Sequence, residues 1–239
     1  AVGGAIRVFK GQHASSSPLH FADAVTIHPL EPALLRWGLW FSCCVAHPAV
    51  TFRMSAVEAV GGYRDEAQGV EDYDLWLRLA CGQPESTRHG GVSNVPQLVL
   101  LHRRHANNAT AQTETSQARR WAALKAVVQA MEAVLFRKVE SNHARTLRDP
   151  ASGECVGDYA GAMRLLEDLE TEACQREGEA YVYESLHARD LVRNDATNRI
   201  GEIAVTALQR FGSDAIEVWQ AWAKRNPQAQ VAMLRGLLS

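Results

Sequence analysis

The period at which apolar residues recur changes along this chain near Ser116, and that change limits what the chain can fold into. Upstream, short apolar runs are separated by Gly, Pro and Ser-rich stretches, the pattern of a sheet with short helices between its strands. Downstream, Trp121, Leu124, Val127, Val128, Met131, Leu135 and Val139 recur at helical spacing, and the pattern stays helical to the C-terminus. The expected fold class is α/β: a sheet with flanking helices, followed by an all-helical C-terminal region. Residues 1–111 make the sheet-bearing part and 112–140 one long amphipathic helix. Residues 141–157, with Asn142, Pro150, Gly153 and Gly157, read as a linker, and 158–239 as the helical C-terminal region.

Within the first part, Ala1–Phe9 is a small-residue and β-branched run that suits a strand. It reads as a strand entered in mid-domain, so residues are expected upstream of it. The aromatic patch 34–45, with Trp37, Trp40 and Phe41, fits a helix or a strand equally well. Residues 49–53 read as a strand. Ser55 with Glu58 three positions later makes a reciprocal helix cap, and Gly61-Gly62 stops that helix. Glu71-Asp72 then opens a helix to about Cys81, on which Asp72, Leu75, Trp76 and Leu79 share one stripe, so Asp72 is expected to point inward. Residues 95–101 form a second strand, which runs into LHRRHANNAT at 101–110.

Two segments carry chemistry. A carboxylate in the first turn of a helix is favoured by the free N–H groups there, and a poorly hydrated carboxylate within reach of a hydroxyl is what general-base catalysis requires. Glu71 and Asp72 also suit plain helix capping. His102, Arg103, Arg104 and His105 follow a strand, where loops commonly hold ligands; guanidinium forks match a diphosphate and imidazole can bind a divalent ion. The same residues suit a solvated basic turn. Asp72-Tyr73-Asp74 spells D-x-D, but two residues on a helix diverge by about 200°, so these acids cannot chelate one ion together. The remaining His, such as His13, His28, His89, His143 and His187, lack ligand spacing.

A formal charge of −2 argues against a nucleic-acid binder, which carries a basic excess. Five Cys with no CxxC pair read as reduced thiols, and no apolar run approaches the ~18 residues needed to span a bilayer. A soluble chain is expected, with its compartment left open.

The ordered set HPAVTFRMSAVEAVGGY, VEDYDLWLRLA and VPQLVLLHRRHANNAT, covering roughly residues 45–110, resembles the C-terminal half of the catalytic domain of family-2 glycosyltransferases, inverting enzymes of GT-A fold that use nucleotide sugars. The resemblance implies a partial GT-A-like, Rossmann-related sheet. It implies that Asp72 is the catalytic base that deprotonates the acceptor hydroxyl, and that Glu71 and Trp76 bind the acceptor. Arg103, Arg104 and His105 would hold the donor diphosphate, with His105 a ligand to a divalent metal, Mn or Mg. His47, Arg53 and the Gly61-Gly62-Tyr63 turn would frame the acceptor cleft. The family's nucleotide-gripping half, with its true D-x-D, has no counterpart in these 239 residues. The chain is thus expected to be a fragment of a transferase, inactive alone and without a bound metal. The alternative is a non-catalytic glycosyltransferase-like scaffold that meets a protein partner through its C-terminal helices.

Overall fold

The computed structural model describes residues 1–10, 25–81, 91–104, 117–179 and 186–225. The fold is mixed α/β, with a small open mixed sheet, a majority of helix and a helical C-terminal region. It divides into two compact units, Ala1–Val134 and Leu135–Ser239.

In the first unit, strand β1 (Val2–Lys10) is central to the sheet. One of its edges takes β2 (Val25–Thr26) through Ile6↔Thr26 and β3 (Val50–Thr51) through Gly3↔Val50, both antiparallel. The other takes β4 (Ser93–Arg104), parallel, from Val2↔Ser93 to Lys10↔Arg104. The register slips on both sides of Ala5, opposite the stretch of β4 that contains Pro96. Proline has no N–H for the ladder, and irregular pairing is where a strand tolerates it. Gly3 and Gly4 are needed beside this irregularity. A Cβ on Gly3 would come within 2.5 Å of Asn94 Oδ1, and one on Gly4 within 2.4 Å of the Val99 side chain.

The aromatic patch resolves as helix α1 (Pro32–Gly38) followed by turns. The strand expected at 49–53 shrinks to the two residues of β3, behind a 3-10 turn at His47–Ala49. Helix α2 (Met54–Ala59) starts one residue before Ser55, and its N-cap is Arg53 without a side-chain bond. The expected Ser55–Glu58 cap therefore does not form, and both residues are exposed. The glycine stop does form. Gly61 and Gly62 take φ of +84° and +67°, and their N–H groups donate to the Glu58 and Val57 carbonyls.

Helix α3 (Glu71–Cys81) has the boundaries read from the sequence but buries eight of its eleven residues, so it is a core helix in place of a one-striped one. Helix α4 (Gln117–Leu135) buries Leu124, Val127, Met131 and Val134 along one line. It ends before Phe136, which adopts φ +51° and is 80% exposed.

In the second unit, residues 141–157 hold helix α5 (Ser141–Arg148) and a 3-10 turn at Pro150–Ser152. Ala144, Thr146 and Leu147 of α5 are buried. Helices α6 (Val156–Glu179), α7 (Leu186–Phe211) and α8 (Ile216–Arg225) complete the bundle. The α5–α6 approach is close at Gly161, where a Cβ would stand 2.2 Å from the His143 ring. The Asp158 carboxylate accepts from the Glu154 and Cys155 N–H groups and so caps the entry to α6.

Candidate functional site

The group of side chains best suited to chemistry gathers at the N-terminus of α3. Val70 ends the preceding turn, and its carbonyl accepts the Asp74 N–H at 3.0 Å, so Glu71 and Asp72 occupy the first turn of the helix. Glu71 is exposed, and its Oε2 accepts the Gly69 N–H at 2.7 Å. Asp72 is half-buried, with Oδ1 accepting the Tyr73 N–H at 2.8 Å.

The acid that points fully inward is Asp74, at 1% exposure. It is buried more deeply than the half-buried Asp72, and the reason lies in Asp74's partners. Arg64 donates to it from Nε at 3.0 Å and from Nη2; Arg78 donates from Nε at 3.0 Å and from Nη2 at 2.7 Å. Arg78 also holds the Gly62 carbonyl at 2.6 Å and that of Val60, while Arg64 reaches Gln129 on α4 at 3.3 Å. Two guanidiniums saturate the carboxylate, so Asp74 serves as the strut that ties the glycine turn and α4 to α3. The D-x-D string is divided between one acid in the core and one at the site.

Residues from other segments lie within electrostatic reach of Asp72. Tyr63 is 46% exposed; its hydroxyl lies 3.0 Å from His47 Nε2, and the two rings meet edge to face at 6.0 Å. Partial burial raises the Tyr63 phenol above its ordinary pKa, and the negative charges of Asp72 and Glu71 raise it further. Cys43 is pushed up to about 12, first by burial and then by the charge of Asp72, with Arg119 of α4 acting in the opposite sense. Both groups thus lie within electrostatic reach of Asp72. A thiol held so high stays protonated at neutral pH and is no nucleophile.

Trp76 lies beneath this group. It is fully buried, its ring stands 6.0 Å from that of His47, and among the described residues its indole Nε1 has no hydrogen-bond partner. Its ring packs against His47, and the acceptor-binding role expected for it rests on the resemblance. Cys43 and Arg119 were not singled out in the sequence. Their one signal was apolar or helical context, which gives no hint of a neighbouring carboxylate.

The basic turn begins at the end of β4. Asn94 Nδ2 donates to the Cys44 carbonyl at 3.0 Å, which ties the segment beside Asp72 to the start of β4. Gly3 pairs with Asn94 and Phe9 with Arg103, so Arg103 lies six β1 residues, about 20 Å, farther along the sheet. Arg104 closes β4 opposite Lys10, and His105 falls outside the described residues. Glu71 and Asp72 thus share the first turn of α3, with Trp76 one turn on, and Arg103 lies toward the end of β4. Among the described residues no three His, Cys, Asp or Glu side chains are grouped to hold a metal ion, and His105, the expected ligand, is not one of those residues. Among the same residues no helix is long and apolar enough to cross a membrane.

No family profile and no solved structure matches the chain. It is similar to the bifunctional glycosyltransferase pgtA of Dictyostelium discoideum, with 21% identity over 231 residues that cover 87% of this chain. The chain spans 28% of the length of that relative, and the likeness is therefore to one part of a glycosyltransferase.

Proposed function

We propose that this chain carries the acceptor side of an inverting glycosyltransferase that uses a nucleotide diphosphate sugar. Asp72 accepts the proton of an acceptor hydroxyl as that oxygen attacks the anomeric carbon. The new C–O bond forms on the face opposite the leaving diphosphate, whose bond to the anomeric carbon breaks, so configuration inverts in a single displacement. Glu71, exposed one residue earlier, orients the acceptor, and the His47–Tyr63 pair walls the same space. The nucleotide-gripping residues belong to chain outside these 239 residues. Assignment of Arg103, Arg104 and His105 to the donor diphosphate rests on the resemblance of the LHRRH segment.

The observation that carries this reading is the half-buried Asp72 at a helix N-terminus, within electrostatic reach of a tyrosine hydroxyl and, among the described residues, bonded to no guanidinium, in contrast to Asp74 two residues on. The similarity to a glycosyltransferase supports the class of reaction. The test is Asp72→Asn in the full-length protein. Turnover is expected to fall about 10²–10⁴-fold with donor binding retained. A variant that keeps most of its turnover would remove Asp72 as the base. A wild-type protein that binds no sugar nucleotide would favour the scaffold alternative.

A further inference from the structure

The helical unit has a cleft of its own, built on none of the residues discussed above for sugar transfer. It measures about 550 Å³ and is formed where the end of α6, the start of α7 and the end of α8 come together. That is within the ordinary range for small-molecule sites, about 300–1,000 Å³. Its walls hold three guanidiniums, Arg189, Arg193 and Arg225, and two carboxylates, Glu167 and Glu170.

These charges are not evenly paired. Arg225 takes both carboxylates: Nη1 meets Glu167 Oε1 at 3.1 Å and Nη2 meets Glu170 Oε2 at 2.6 Å. Glu170 is buried, which anchors the arrangement at the cleft floor. Arg189 and Arg193 stand one turn apart on the same face of α7, and no carboxylate among the described residues pairs with either. Their polar neighbour is the Cys174 thiol, which burial raises and so keeps neutral. One end of the cleft is therefore a cationic pair spaced for an anion, and the other offers carboxylate oxygens that accept from hydroxyls. No aromatic side chain lines the cleft among the described residues, so it lacks a platform on which a base could stack.

We propose that this cleft binds a phosphorylated, hydroxyl-rich small molecule of the sugar phosphate class, its phosphate held by Arg189 and Arg193 and its hydroxyls donating to Glu167 and Glu170. Guanidinium forks match phosphate oxygens bidentately, and Arg225, bonded to one oxygen of each carboxylate, holds Glu167 and Glu170 in place for a polyol.

Titration calorimetry on the whole chain tests this with three probes: a hexose 6-phosphate, inorganic phosphate and the unphosphorylated hexose. The hexose phosphate is expected to bind saturably and at least about tenfold more tightly than either of the others, with a further loss of about tenfold or more in Arg189→Gln/Arg193→Gln. Circular dichroism checks that the double variant is folded. If it is not, Arg193→Gln alone, at an exposed position, is expected to weaken binding at least about threefold. Equal affinity for phosphate and hexose phosphate, affinity unchanged in the variants, or no saturable binding at millimolar ligand would each overturn the proposal. The outcome is independent of the Asp72 experiment, because no residue is shared.

Discussion

Arg78 donates to Asp74 one helical turn away at 2.7 Å and, from the same Nη2, to the Gly62 carbonyl at 2.6 Å. The glycine turn is thereby fastened to the helix that carries Asp72 and Glu71. Arg78→Ala would leave Asp74 with one guanidinium and two turn carbonyls without a donor. We expect a loss of about 3–5 kcal/mol, read by urea denaturation, as is usual when one member of a buried ion pair is removed. A loss below about 1 kcal/mol would mean that Arg64 alone suffices.

The Tyr63 phenol reports on the charge of Asp72. Its pKa is raised by burial and then by Asp72 and Glu71, so Asp72→Asn is expected to lower it by removing one negative neighbour. The phenolate absorbance difference between wild type and variant, followed from neutral to alkaline pH, measures the shift. An unchanged titration would separate Tyr63 from Asp72.

Asp158 ties its own pKa to the stability of the helical unit. Burial acts against the charged form, but the Glu154 and Cys155 N–H groups outweigh it and hold the carboxyl below its ordinary value. A carboxylate depressed on folding contributes stability that is present above its unfolded pKa, near 4 (about 3.9), and is lost as pH falls through the folded value. Asp158→Ala is expected to cost about 1 kcal/mol at neutral pH and to flatten that acid limb of the stability profile.

Gly161 lies where α5 and α6 touch. A Cβ there would overlap the His143 ring, so Gly161→Ala is expected to destabilise by about 1–3 kcal/mol despite the better helix propensity of alanine. Adding His143→Ala should restore part of the loss. A double-mutant cycle showing simple additivity would argue against the contact.

Phe136 ends α4 in the left-handed region, at φ +51°, with its ring in solvent. A side chain in that conformation stores about 1–2 kcal/mol of strain that glycine does not have. Phe136→Gly is therefore expected to raise the melting temperature, since the exposed ring contributes little burial in return. A lower melting temperature would show that the ring contributes more than its exposure suggests.

Much of the architecture was readable in local pattern. The bounds of α3, the glycine stop after α2, the strands at 2–10 and 93–104 and the helical second half all follow from periodicity and turn chemistry within a few residues. The expectations that failed depended on distant partners. Ser55 and Glu58 had the spacing of a cap, but the helix began at Met54 and left both in solvent. Residues 141–148 had turn-forming neighbours, but an apolar face at Ala144 and Leu147 found α6 to pack on.

The candidate site divides in the same way. An acid pair opening a helix is local, and the sequence by itself determined that Glu71 and Asp72 would occupy that first turn. Which acid of Asp72-Tyr73-Asp74 enters the core was decided by Arg64, ten residues back, and Arg78, one turn ahead, reaching the same carboxylate. The pairing of His47 with Tyr63, the reach of the Asp72 charge to Tyr63 and Cys43, and the meeting of Arg189, Arg193 and Arg225 in one cleft were likewise decided by tertiary structure. Backbone periodicity is a property of neighbours three or four residues apart. Burial and charge pairing depend on chain brought in from far along the sequence, and no short-range pattern encodes them.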